Sequence, residues 1–508
     1  MYLLDQTWLP FSNLMLKHIY NVLLICSDYD RFMLEEDGRV EEELYQEYTA
    51  LGLSNPPKIT HVNNEEDALR LIDELSFDLV ISMLDLGSER VEALAEAIKV
   101  KRPWMPVIAL SPSPDHRKLK ELKGENCPYI DYIFYWQGNT SLFLAMVKLV
   151  EDRMNIAHDT DVADVQVIIL VEDSVRFISS YLPQMYTCLI HQNRTSILEA
   201  LNEWGKTLRM RGRPKIVLAR NYDEAWGLYS EYKENVLGVI TDVSFPSPEG
   251  SERAGFRLAE AIRRETKDLP ILIQSTEMKN KEDAERLGAD FLWKLSDTIL
   301  QDLEAHFLHN YNFGPFIFID PETGKEIAKA HTMKEVQETL RTLPLPSFRY
   351  HSKRNDFSRW LRAQSLYVLA SKIKNINLDA GKSDEEVRDL LYETIKTYRA
   401  DRARGVIADF SATSYDETML FTRIGKGSLG GKGRGLAFIA MEMKASGIMD
   451  RYPSVYLSIP RTVVISTELF TEFMEENNLS SLHFRNEGDE KILSLFLSAK
   501  IPERLRKA

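Results

Sequence analysis

Residues 165–174 read VQVIILVEDS, in which the Val, Ile and Leu run of 167–171 ends abruptly in two acids. The run is continuously apolar rather than alternating, as a strand covered on both faces requires, and parallel sheets are covered in that way. Further runs follow it: KIVLA at 215–219, LGVITDV at 237–243, PILIQS at 270–275 and FLWKL at 291–295. Helical stretches such as GFRLAEAIRRET, 255–266, lie between them. The alternation predicts an open βα sheet over 165–308. The same rhythm occupies 20–155, through NVLLIC (21–26), KITHV (58–62), DLVISML (78–84), PVIALS (106–111) and YIFYW (132–136).

Open α/β sheets bind ligands beyond the carboxyl ends of their strands, so the residues just after each strand carry the information. In the second copy these are Glu172 and Asp173, then Asp242, then Ser275 and Thr276, and last Lys294. Three carboxylates converging on one sheet edge repel one another unless a cation sits among them. Magnesium suits such an all-oxygen site and keeps waters that a phosphate donor can replace. Asp242 could then attack a phosphoryl group to form an acyl phosphate. Lys294 would offset the new charge, and the Ser275 hydroxyl would hydrogen-bond a phosphoryl oxygen. Singly, each is an ordinary polar loop residue; together and in this order they describe a site.

The constellation resembles the receiver domain of two-component response regulators over about residues 165–308. The resemblance implies a doubly wound, flavodoxin-like α/β fold with a parallel five-stranded sheet. By it Glu172 and Asp173 are the metal-binding acid pair, Asp242 the phosphoacceptor, Ser275 the switch hydroxyl and Lys294 the lysine. It also implies Mg2+ as cofactor and a histidine kinase or acetyl phosphate as donor. The separation of Asp173 and Asp242 exceeds the family's usual spacing, with extra helical sequence around SILEALNEWGKTLRMRGRPK, 196–215. The first copy resembles the same fold with its chemistry removed. Ser27 and Asp28 stand at the acid pair, Met83 at the nucleophile and Tyr135 or Trp136 at the lysine, while Ser111 keeps the switch position. Asp85 lies two residues beyond the nucleophile position. The expectation is a degenerate receiver-like domain used for contacts.

A chain of 508 residues exceeds a single core. The formal net charge of −14 excludes a general nucleic-acid footprint. Cys26, Cys127 and Cys188 show neither a disulfide framework nor metal-ligand spacing, and read as free thiols. No signal-peptide pattern opens the chain and no run of about eighteen apolar residues occurs, so no membrane partner and a cytoplasmic location are expected. Between 310 and 420 the sequence predicts a short strand, a PETG turn and a helix capped near Thr332. His351 there lacks the surroundings of a phosphorylatable histidine and reads as structural. With Lys353, Arg354, Arg359 and Arg362 it forms a basic cluster expected on a solvated helix face. Ser383 is a candidate N-cap for a later surface helix.

The stretch IGKGSLGGKGRGLAFIAMEM, 424–443, is rich in glycine and then turns apolar. It is not a Walker loop, since Gly433 and Arg434 follow Lys432. No clear strand is read before it. Glycines let backbone N–H groups approach anions, a helix starting near Leu436 would add its dipole, and Lys432 adds a charge. Composition alone leaves two readings, a phosphate-holding loop and a flexible hinge.

The run SLGGKGRGLAFIAMEMKASGI (428–448) followed by YLSIPRTVVISTELFTEFMEENNL (456–479) is similar to the start of the ATP-binding domain of phosphoenolpyruvate synthases and pyruvate, phosphate dikinases. The similarity spans about 424–480. It implies the start of an ATP-grasp fold, ATP as a second cofactor, Lys432 on the nucleotide phosphates, and Gly430, Gly431 and Gly433 shaping the loop. Thr467 falls at a nucleotide-side turn, and a pyruvate-like molecule is the implied acceptor. The family's later elements do not occur before Ala508, so the expectation is a truncated ATP-binding domain, inactive alone.

The expected organisation is therefore a degenerate receiver-like domain at 1–158, a receiver at 159–310, a mostly helical connector at 311–415 and the partial ATP-binding domain at 416–508. The expected function is the regulatory portion of a receiver-fused phosphotransferase, with Asp242 phosphorylation gating ATP-dependent transfer. The alternative is a non-enzymatic signalling scaffold.

Overall fold

The computed structural model describes residues 13–508 except 36–38, 54, 84–87, 113–127, 197–209, 378–380, 404–406, 411–417, 453, 456 and 481–487. Asp85, Cys127 and most of the expected insertion lie outside the described residues.

The first sheet contains β1 (Asn21–Ile25), β2 (Lys58–Val62), β3 (Leu79–Met83), β4 (Val107–Ser111) and β5 (Tyr132–Tyr135). The helices between and after them are α1 (Asp28–Leu34), α2 (Val40–Ala50), α3 (Glu65–Glu74), α4 (Ser88–Lys101) and α5 (Ser141–Ala163). The second sheet contains β6 (Val167–Val171), β7 (Lys215–Ala219), β8 (Val236–Asp242), β9 (Ile271–Ser275) and β10 (Asp290–Trp293). Its helices are α6 (Val175–Ser196), α7 (Tyr222–Tyr232), α8 (Ala254–Glu265), α9 (Lys281–Arg286) and α10 (Ile299–Asn310). All ten strand runs read from the sequence are strands.

The strand orders are β2-β1-β3-β4-β5 and β10-β9-β8-β6-β7, every pairing parallel. Counted within each half, both follow the 2-1-3-4-5 order of flavodoxin-like sheets. Burial explains the unbroken apolar runs: β3, β4, β6 and β9 are buried at every position. One continuous core joins the facing sides of the two sheets, with Leu24, Ile81 and Ile108 from the first and Ile168, Ile240 and Leu272 from the second. Helices α5 and α6 lie in that shared layer and contribute Phe143, Met146, Leu149, Leu182, Met185 and Leu189.

Each half also covers an exposed edge of the other, and uncovered edges are a liability for any open sheet. Ser179 of α6 accepts the N–H of Tyr135 on edge strand β5 at 2.8 Å. Asp152 of α5 accepts the N–H of Ile216 on edge strand β7 at 2.9 Å. The same carboxylate takes both arms of Arg213, at 2.9 and 2.7 Å, and the Tyr186 hydroxyl at 2.9 Å. A second stripe on α5 holds the extended segment before β1. Asp159, Asn155 and Glu151 accept the N–H groups of Met15, Lys17 and Ile19. The periods match because two extended residues rise ~6.6 Å and four helical residues ~6 Å. Beneath this stripe Lys215 of β7 pairs with Asp159 at 3.0 Å, both fully buried.

The connector is a hairpin followed by helices: β11 (Phe316–Ile319), β12 (Glu326–Ala330), α11 (Met333–Thr342), α12 (Leu345–Lys353), α13 (Asp356–Ala363), α14 (Tyr367–Asn377) and α15 (Asp384–Ala403). The sequence predicted one strand here, whereas Glu326–Ala330 pairs antiparallel with Phe316–Ile319 across the PETG turn. Thr332 caps α11 by accepting Glu335 N–H, and Ser383 accepts Glu386 N–H at the start of α15. His351 is not on a solvated face. Its Nε2 accepts Ile319 N–H at 3.0 Å, which fixes the proton on Nδ1, 2.8 Å from Asp356 Oδ2. Both ring nitrogens are thus committed to structure.

The C-terminal module has a parallel sheet β13-β14-β15, with β13 (Ala408–Asp409), β14 (Phe421–Ile424), α16 (Gly430–Ala445), α17 (Ile448–Arg451), β15 (Thr462–Ile465), α18 (Thr467–Glu476), α19 (Asp489–Ser498) and α20 (Glu503–Lys507). Large apolar side chains stand exposed here, among them Phe438 and Ile439 of α16 and Val463 and Ile465 of β15. Among the described residues no helix is long and apolar enough to cross a membrane.

Loss of Asp152 should be costly. Asp152→Ala leaves the buried Arg213 guanidinium unpaired and the Ile216 N–H and Tyr186 hydroxyl without their acceptor. The expected destabilisation is about 3–5 kcal/mol, read as a lowered urea midpoint.

Candidate functional site

The carboxyl ends of β6, β8, β9 and β10 bring the second copy's polar residues together. One carboxylate oxygen each from Glu172, Asp173 and Asp242 lies within 4.8 Å of the others. Oxygens on opposite sides of an octahedral Mg2+ are separated by about 4.2 Å, so small side-chain rotations would seat the ion. Asp173 and Asp242 are only half-buried, which leaves room for waters to complete the shell. An all-oxygen, three-carboxylate donor set fits a hard divalent cation.

Lys294 holds two of the acids. Its Nζ lies 2.5 Å from Glu172 Oε2 and 2.7 Å from Asp242 Oδ1, with the lysine and Glu172 side chains almost wholly excluded from water. The ammonium sits 4.2 Å from the centre of the Phe177 ring, a cation–π contact, and Phe177 stacks on Tyr181. Glu172 also accepts Gln274 Nε2 at 3.2 Å through Oε2 and Ser174 N–H at 3.0 Å through Oε1. Burial pushes the Glu172 carboxyl up to about 7; Lys294 opposes that push and Asp242 adds to it. A divalent ion beside it would favour the ionised form.

Asp242 is aimed by its neighbours. Its Oδ1 pairs with Lys294, and its Oδ2 receives a long 3.4 Å contact from Ser244 N–H. Gly255, in the first turn of α8, packs against the Asp242 backbone so tightly that a Cβ there would stand 1.9 Å from the Asp242 carbonyl oxygen. Gly255 N–H donates to Val243 O at 3.0 Å, fixing the helix to the strand exit. Ser275 ends β9 next to β8, and Lys294 N–H donates to its carbonyl at 2.9 Å. Gln274 and Gly255 were not singled out in the sequence. A buried amide in an otherwise apolar strand was the available signal for Gln274.

In the first sheet the equivalent strand ends hold no such cluster among the described residues. Met83 is buried at the end of β3, and the Tyr135 N–H is committed to Ser179. Cys26 and Cys188 are free, with burial raising both thiols to about 12.

The glycine-rich stretch differs from expectation in two ways. A strand does precede it, β14, and the helix begins at Gly430 rather than near Leu436. Strand, glycine loop, helix and parallel strand form a βαβ crossover through β14, α16 and β15. Gly425, Gly427 and Gly430 have φ of +84°, +91° and +72°, a region that excludes most side chains. The loop is pinned, because Ser428 N–H donates to Thr467 Oγ1 at 3.0 Å and Thr467 N–H to Ser428 O at 2.8 Å. Ser428 Oγ accepts Gly430 N–H and Arg434. Gly433 lies inside the helix, where a Cβ would come 3.2 Å from Val464. Lys432 is exposed in the first turn of α16, and Gly431 has open space around it. Glu468 lies against the loop at Lys426 N–H, with Arg504 2.9 Å away.

No family model matches the chain, and no curated protein does. Among solved structures, a signal receiver domain of an HD domain-containing protein from Pseudomonas fluorescens Pf-5 is 21% identical, over 29% of this chain and 93% of that one, with a TM-score of 0.20. The LpoA (YraM) C-domain from Haemophilus influenzae, a regulator of PBP1A, is 10% identical, over 71% of this chain and 89% of that one, with a TM-score of 0.17. Superpositions this loose support no functional assignment, and the fold assignment rests on the strand orders.

Gly255→Ala should displace the Asp242 backbone. A loss of about 1–3 kcal/mol in stability is expected from overpacking. Calorimetric titration should also show weaker Mg2+ binding than in the wild type.

Proposed function

We propose that residues 165–308 act as a phosphoacceptor module that takes signalling input for the rest of the chain. The observation that carries this reading is Lys294 bridging Asp242 and Glu172, at the end of a flavodoxin-like sheet, beside Ser275. Asp242 Oδ2 attacks the phosphorus of a phosphohistidine or of acetyl phosphate. The new Oδ2–P bond forms as the P–N or P–O bond breaks, and the leaving imidazole or acetate keeps the electron pair. Asp173, Glu172 and Asp242 would hold Mg2+, which supplies positive charge against the phosphoryl oxygens. Lys294, already on Oδ1, compensates the charge added to the aspartate. The degenerate first sheet serves as a buttress for α6.

In the wider reading the module regulates a phosphotransferase of the phosphoenolpyruvate synthase or pyruvate, phosphate dikinase type. Gly430, Gly431 and Lys432 would then face ATP phosphates, and a pyruvate-like molecule would accept the phosphoryl group. Support comes from the pinned positive-φ loop between β14 and α16, which is shaped rather than slack. A scaffold without catalysis is the second reading. It is favoured by where the connector docks: Arg362, Tyr367 and Ser371 bond Glu234 O, Gly212 O and Asp164, all at the amino ends of the second sheet. That pole is ~20 Å from Asp242 along β8.

Acetyl phosphate with Mg2+ should label the chain with one acid-stable, base-labile phosphoryl group. Asp242→Asn should abolish the label, and undiminished labelling of that variant rejects the reading. For the C-terminal module, equilibrium dialysis should detect Mg2+–ATP binding that weakens about tenfold in Lys432→Ala, the worth of one charge-assisted contact. Equal retention of nucleotide by both proteins favours the scaffold.

A further inference from the structure

The turn after β9 contains a buried polar side chain with no part in the chemistry above. Asn280 is 5% exposed and stands at the N-cap position of α9. With helical backbone angles, φ −74° and ψ −9°, it ends the 3-10 turn Met278–Asn280 that runs into α9, so its side chain is not set to cap the helix. It makes no capping bond. Its amide turns back instead to Ser275, with Nδ2 2.9 Å from Oγ.

The same Oγ accepts Glu277 N–H at 3.0 Å. A serine hydroxyl has two lone pairs and one proton. Two donors occupy the lone pairs, so donation is the capacity that remains, and among the described residues no acceptor takes the proton. Ser275 is one residue beyond Gln274, the register partner of Asp242 on the neighbouring strand. An anionic oxygen attached to Asp242 is therefore the acceptor that the strand geometry offers.

We propose that Asn280 is a positioning residue that commits the Ser275 hydroxyl to donate toward the phosphoryl group on Asp242. This rests on the phosphoacceptor reading of Asp242. Two N–H donors on one hydroxyl oxygen also polarise its O–H bond, which strengthens the outgoing hydrogen bond. Asn280 acts through Ser275 and touches no reacting atom.

The test uses the full chain and the affinity for beryllofluoride with Mg2+, measured by calorimetry. Asn280→Asp replaces the donor by a carboxylate that draws the Ser275 proton back to itself. It should weaken binding about tenfold, as Ser275→Ala should, which is the value of one hydrogen bond to a charged acceptor. The double variant should fall no further, because both changes remove the same interaction. Asn280→Ala should give a smaller, few-fold loss that also vanishes in the Ser275→Ala background. Should Asn280→Asp fail to fold, Asn280→Ala decides alone.

Wild-type affinity in the Asn280 variant that decides overturns the proposal, and so does a loss that adds in full to that of Ser275→Ala. The first result would mean that the amide faces Ser275 with its oxygen. Unchanged binding in Ser275→Ala, with the wild type binding, also overturns it and leaves the phosphoacceptor reading standing. A wild type that does not bind beryllofluoride at all rejects both.

Discussion

The buried carboxylate of Asp152 fastens the two sheets together where their shared apolar core and the Asp159–Lys215 pair already join them. It sits on the last helix of the first sheet but accepts hydrogen bonds from Tyr186, Arg213 and Ile216 of the second half. Burying an ion pair costs several kcal/mol per charge before any attraction is counted, so such a pair persists where its partners are complete. Here they are: the bidentate guanidinium neutralises the charge, while the hydroxyl and the backbone N–H use remaining lone pairs. The strand edge that would otherwise lie open is closed by the same group.

That arrangement decides where α6 lies, and α6 builds the site. The helix follows directly after Asp173, sends Phe177 beneath the Lys294 ammonium, and places the Tyr181 hydroxyl 3.5 Å from the Lys294 carbonyl. Its Ser179 is meanwhile bonded to the first sheet through Tyr135. A movement at the carboxylate cluster that shifted α6 would therefore be felt at β5. The first sheet holds no carboxylate cluster among its described residues, and its edge strand β5 is bonded to α6.

The connector takes the opposite end of the second sheet. Lys374 pairs with Glu234 at 3.2 Å and Ser365 with Asn193 at 3.2 Å, both far from the carboxylates along the strand direction. Any path from Asp242 to the connector's docking sites runs through the packed strands or by way of α6. In the C-terminal module the reciprocal Ser428–Thr467 bonds give the glycine loop a fixed shape.

The amino-acid sequence by itself determined the ten strands, because burial on both faces leaves unbroken apolar runs that need no knowledge of neighbours. It also determined at which end of the second sheet the acids and the lysine gather, since Glu172, Asp173 and Lys294 follow strands while Asp242 and Ser275 end them. Caps such as Thr332 and Ser383 were legible for the same reason, as their partners lie three residues away. Only the tertiary structure decided that Asp152 meets Arg213, 61 positions on, or that Gln274 reaches Glu172 across 102 positions. It decided too that His351 is locked in a core, that Gly255 must be bare for α8 to touch Asp242, and that the buried Asn280 amide meets Ser275. Periodicity reports the environment of one segment at a time. A contact between segments depends on how the sheets twist and stack, and no local pattern records that.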